Sequence, residues 1–62
     1  MKFIVTAKIT DSPIMPVGTF TAEKEIEFSD DSNVFGRVAD ARSYFKNTYK
    51  TDNIEIIKAK EI

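Results

Sequence analysis

The sequence predicts an α+β domain: a three-stranded antiparallel sheet, β-β-α-β along the chain and 2-1-3 across the sheet, with one helix packed on one face. Three observations predict it. Apolar and polar residues alternate with period two over residues 2–10 and again over 19–28, as in half-buried strands. From Val34 to Tyr49 the apolar residues recur with helical period. An Ile-rich run, Ile54-Glu55-Ile56-Ile57, then supplies a third strand over 54–62.

In the first strand Phe3, Val5, Ala7 and Ile9 share one face, while Lys2, Ile4, Thr6, Lys8 and Thr10 share the other. Pro13, Pro16 and Gly18 then stop the ladder and make a loop. The second strand places Phe20, Ala22, Ile26 and Phe28 on the core side, interrupted by Lys24, and Thr19, Thr21, Glu23, Glu25 and Glu27 on the other. A long hairpin makes these two strands antiparallel.

Ser29-Asp30-Asp31-Ser32-Asn33 reads as a helix start. Ser29 or Asp31 is the expected N-cap, with the acidic residues at the positive end of the dipole. Measured from Val34, the side chains of Val38, Ala41, Phe45 and Tyr49 project at about 40°, 340°, 20° and 60°, a single apolar stripe. Gly36 falls on the solvent side, at about 200°. Residues 51–53 end the helix. In the third strand Ile54 and Ile56 point one way while Ile57 and Ala59 point the other. A bulge or two-sided burial reconciles them. The helix joins the second and third strands by a right-handed crossover. The most apolar strand, the first, is expected to take the centre of the sheet, with the order 1-2-3 as the alternative.

The expected core is Phe3, Val5, Ala7, Ile9, Phe20, Ala22, Ile26, Phe28, Val34, Val38, Ala41, Phe45, Tyr49, Ile54 and Ile56. With 62 residues there is room for one domain, which buries only about 60% of the surface its unfolded form exposes.

The same numbers narrow the function classes. Nine Lys plus Arg against ten Asp plus Glu give a net charge of −1, little attraction for phosphate backbones or anionic lipid. No cofactor or metal is expected. There is no His or Cys, which removes imidazole bases, thiol nucleophiles and zinc–thiolate sites. The serines sit in no Gly-x-Ser-x-Gly elbow, and two isolated glycines make no phosphate loop. Catalysis is therefore not expected. Glu27, Asp30, Asp31 and Asp52 follow no calcium-loop spacing. The first residues are too interrupted by Lys for a signal peptide, and no segment approaches the roughly 20 apolar residues of a membrane span. The expected location is cytoplasmic.

Three surface features remain. Glu23, Glu25 and Glu27 project from one strand face about 6.8 Å apart, on the scale of successive phosphates along a nucleic-acid strand. Such a row suits a basic protein groove; the competing reading is a solvated open face on which Lys8 pairs across to a Glu. In the loop, Ile14, Met15 and Val17 stand where polar residues are expected. They form either a protein-contact tip stiffened by proline or a flap folded back over the sheet end. Arg42, Lys46 and Lys50 share a helix flank with Phe35, at about 80–160°, and form the alternative site, a weak nucleic-acid binder. A further alternative is a homo-oligomer, formed through a sheet edge or through an apolar island of Ile4, Ile57 and Ala59 on the open face.

In size and composition the chain resembles small phage accessory proteins, which are tiny, free of Cys and rich in Ile, Lys and Thr. The resemblance assigns no activity. The reading that follows is a small protein-binding protein, an inhibitor or adaptor acting on a larger, nucleic-acid-handling protein through the acidic strand face and the hairpin tip.

Overall fold

A computed structural model describes residues 1–62. Strand β1 spans Lys2–Thr10, β2 Thr19–Glu27, helix α1 Val34–Tyr49 and β3 Ile54–Glu61. The sheet has the order β2-β1-β3, with both pairings antiparallel. The alternation in β1 explains its place. Val5, Ala7 and Ile9 are fully buried beneath the helix, so the central position completes their burial and both ladders of the strand.

A β-bulge interrupts the β1–β3 ladder between Thr6 and Ala7. Thr6 opposes Lys58 and Ala7 opposes Ile56, which leaves Ile57 as the extra residue. This resolves the ambiguous facing of β3. Ile54, Ile56 and Ala59 oppose Ile9, Ala7 and Val5 on the helix side. The expected apolar island therefore does not form: Ala59 lies on the opposite face from Ile4, and Ile57 sits in the bulge.

Only eight of 62 residues are buried, so each one matters. Val5, Ala7, Ile9, Phe28, Ala41, Phe45 and Ile54 form the core, and Met1, Phe3, Phe20, Ala22, Ile26, Tyr49 and Ile56 pack around it. Edge-to-face ring pairs join Phe3 to Phe28 at 5.7 Å and Phe20 to Tyr49 at 5.3 Å. Val34 and Val38, expected in the core, are exposed; Val34 is 60% accessible. Their side of the helix overhangs β3, beyond which no further strand covers them.

The helix cap also differs from expectation. Asn33 is the N-cap: its backbone is extended and its side-chain oxygen accepts the Gly36 N–H at 2.7 Å. Ser29 and Asp31 instead hydrogen-bond to each other, and Asp30 lies 3.0 Å from the Met1 amino group. No acidic residue falls in the first helical turn. At the far end Lys50 adopts a left-handed conformation (φ 60°) and donates its N–H to the Lys46 carbonyl.

Candidate functional site

The acidic row lies on a free edge. β2 has β1 on one side and no strand on the other. The register sets Glu27 opposite Lys2, Glu25 opposite Ile4 and Glu23 opposite Thr6. All three glutamates are exposed. The ion pairs of the chain are Met1–Asp30 and Lys46–Asp52, so none of the three makes an ion pair within the chain. Lys8 does not pair with the row, because its neighbours across the sheet are Thr21 and Glu55.

The backbone at this edge follows from the ladder. Phe28 N–H donates to the Met1 carbonyl at 2.8 Å, and Asp11 N–H to the Gly18 carbonyl at 2.8 Å. Antiparallel ladders alternate hydrogen-bonded and non-hydrogen-bonded pairs. Counting from these bonds, Phe20, Ala22, Lys24 and Ile26 spend their backbone groups on β1. Glu23, Glu25 and Glu27 turn theirs to the open edge. Each glutamate thus offers a carboxylate on the open face and main-chain groups beside it.

One residue guards this edge. Lys24 opposes Val5 on the helix side of β2, a cation on an otherwise apolar face, with its ammonium 5.5 Å from the Tyr44 ring centroid. A strand added here would have to cover that charge, so an inward-pointing lysine opposes edge-to-edge pairing. The inward charge therefore disfavours strand addition at this edge and leaves its outward side chains accessible. The alternation already marks Lys24 as the one interruption of the inner face, but its role emerges only when β2 is seen to be an edge.

The hairpin tip does not fold back. Ile14, Met15 and Val17 are all exposed. Ser12 turns inward instead: it is the one buried polar residue, and its hydroxyl donates to the Tyr49 carbonyl at 2.5 Å. Thr51 Oγ1 donates to the Thr10 carbonyl at 3.2 Å. Together these bonds tie the hairpin base to the end of α1 and the turn that follows it. A nine-residue strand is about 30 Å long, so the 37 Å long axis of the molecule runs along the strands. The tip and the acidic row are successive parts of that long edge.

The basic flank is weaker than its sequence. Arg42, Lys46 and Lys50 are all exposed, but Lys46 pairs with Asp52 at 3.1 Å. Phe35, 87% accessible, makes no ring or cation contact. The arginine that does lie over a ring is Arg37, 5.1 Å from the Phe3 centroid, where it also donates to the Ser32 carbonyl. No group of three carboxylates is placed to hold a metal ion, and no helix is long and apolar enough to cross a membrane.

Compared with known proteins, the chain matches no family model, no curated protein and no solved structure.

Proposed function

We propose that the protein acts by stoichiometric binding to another protein, without catalysis, as an inhibitor or adaptor. The contact is the long edge made by Glu23, Glu25 and Glu27 together with Ile14, Met15 and Val17. The observation that carries this reading is the row itself: three exposed carboxylates about 6.8 Å apart on a free strand edge, with no cation of the chain paired to them. A basic groove on the partner complements that row, and a groove that holds nucleic acid has the right charge and spacing. The apolar tip adds desolvated contact at one end, where the charges alone would give orientation and fast encounter more than affinity. The Lys46–Asp52 pair weighs against the alternative of nucleic-acid binding through Arg42, Lys46 and Lys50.

The test is capture on the immobilised protein at low and at moderate salt, wild type against the triple variant Glu23→Gln, Glu25→Gln, Glu27→Gln. The wild type retains a basic protein that is released as salt rises, and the triple variant does not. Equal retention by both proteins, or retention indifferent to salt, rejects the reading. A parallel titration with DNA and RNA gives no binding at low salt; salt-sensitive binding lost on Lys46→Gln and Lys50→Gln would establish the alternative.

A further inference from the structure

The opposite edge of the sheet, β3, has features of its own. The bulge re-phases its backbone. Ile62 N–H donates to the Lys2 carbonyl at 2.9 Å, so by ladder alternation Lys60 and Lys58 bond to Ile4 and Thr6, while Ala59 and Glu61 turn outward. Beyond the bulge, Thr10 N–H donates to the Asn53 carbonyl at 3.1 Å. Counting from there, Glu55 bonds inward and Ile56 turns outward. Ile56 and Ala59, three apart, therefore both face the free edge from the same side of the sheet. In an unbroken strand, residues three apart would face opposite ways.

That phase makes the edge self-complementary. Under a two-fold axis between residues 57 and 58, Ile56 of one copy opposes Ala59 of the other, and Ala59 opposes Ile56. The same axis sets Glu55 against Lys60 on the open face, twice, and each pair has opposite charge. Neither residue makes an ion pair within the chain. On the helix side lies an apolar groove of about 160 Å³, walled by Val34, Val38, Ile56 and Ala59. The Ile56 side chain of the second copy would arrive beside Ala59, at the mouth of that groove.

We propose that the protein forms a two-fold dimer in which β3 pairs antiparallel with β3 of a second copy, in the register Glu55 to Lys60 and Ile56 to Ala59. The result is a continuous six-stranded sheet with both helices on one face. Two-fold contacts are self-complementary by construction, and the β3 edge meets that condition in backbone phase, charge and apolar surface. Full-overlap pairing of two β2 edges centres on Glu23, sets that glutamate against its own copy and places Lys24 in the middle of the apolar side, whereas the one charge on the helix side of β3, Glu61, falls at the two ends of the pairing, opposite Ile54. The dimer leaves both acidic rows on the outer edges, so this inference does not rest on the function proposed above.

The test is light scattering from micromolar to millimolar protein, with charge reversal and rescue. The wild type shifts from monomer to dimer as concentration rises. Lys60→Glu alone, and Glu55→Lys alone, weaken dimerisation about tenfold by placing like charges opposite one another twice. The double variant Glu55→Lys, Lys60→Glu restores it. Circular dichroism confirms that each variant is folded. In the wild type, amide exchange at Ile56 and Ala59 slows as the dimer forms, a readout that needs no variant. A wild type monomeric throughout, a single variant that associates like the wild type, or a folded double variant that stays monomeric overturns the proposal. So does loss of the dimer in the Glu23, Glu25, Glu27→Gln protein, which would move the contact to β2.

Discussion

The Lys24 ammonium lies 5.5 Å from the centre of the Tyr44 ring, bridging the inner face of an edge strand to the helix that covers the sheet. The ring gives the cation a partner at the margin of the core, where an exposed cation–π contact contributes about 0.5–1 kcal/mol. The lysine thus keeps its charge on the apolar side of β2 without being buried. Phe20, Ala22 and Ile26 on the same face would otherwise form an unbroken apolar row along a free edge.

Lys24→Val removes that interruption while suiting the strand. Thermal stability should change by less than about 1 kcal/mol, since the lost ring contact is offset by apolar burial. Association should rise. The clean measurement is light scattering of Lys60→Glu with and without Lys24→Val: the β3 contact is weakened equally in both, so any added assembly uses β2. A double variant that associates no more than Lys60→Glu alone would show that Lys24 does not guard the edge.

Phe45 and Val34 stand on the same apolar stripe of α1, yet their mutations should differ sharply. Phe45 is 1% accessible, and Phe45→Ala should cost about 3–5 kcal/mol. The whole stability of a domain this size is about 3–9 kcal/mol, so the variant should lose about half of it or more, read as a fall in the urea midpoint by circular dichroism. Val34→Ala should change stability by no more than about 0.5 kcal/mol in urea titration. Comparable losses from the two would mean that Val34 is covered, by a partner or by a second copy.

That contrast marks what the sequence could convey. Period two located β1 and β2 and period 3.6 located α1, because each follows from one side chain's position relative to its neighbours, while β3 was marked by its run of isoleucines. The strand order followed from the apolar content of β1. The helical wheel, however, gives a direction and not the extent of what lies in that direction. Val34 and Val38 point toward the sheet side at a place where the sheet has ended, so they remain exposed. The cap was placed at Ser29 or Asp31, but Asn33 has an equally competent side chain closer to the first turn, and backbone geometry selects it. The adjacent Ile56-Ile57 did signal the bulge, as a break in alternation. Its position could be fixed only by the register with β1, and with it the side taken by Ala59 and the outward phase of the β3 edge. The exposure of Glu23, Glu25 and Glu27 was readable from alternation alone, because one face of a sheet with a single helix must stay open. Their unpaired state was not, since it depends on which residues lie opposite them.

Lys50 gives a test in which local geometry decides the sign. Its φ of 60° costs a side-chain-bearing residue about 1–2 kcal/mol, and glycine escapes that cost. Part of the gain is returned through the greater freedom of glycine in the unfolded chain, about 0.4–1 kcal/mol. Loss of a cation near the helix C-terminus returns a few tenths more, by roughly the dipole term of 0.3 kcal/mol. Lys50→Gly should therefore stabilise the protein by about 0.5 kcal/mol, a rise in Tm of roughly 2–4 °C. Four residues earlier, inside the helix, Lys46→Gly should lower stability by about 1 kcal/mol and also lose the Asp52 pair. The two substitutions remove the same charge from the same flank, so opposite signs isolate the backbone conformation as the cause. They also bear on function: a protein that binds through the β2 edge should bind its partner equally well after Lys50→Gly. A matched loss of stability in both variants would show that Lys50 is not held in the left-handed region. A loss of partner binding in the stabilised variant would place the contact on the helix flank instead.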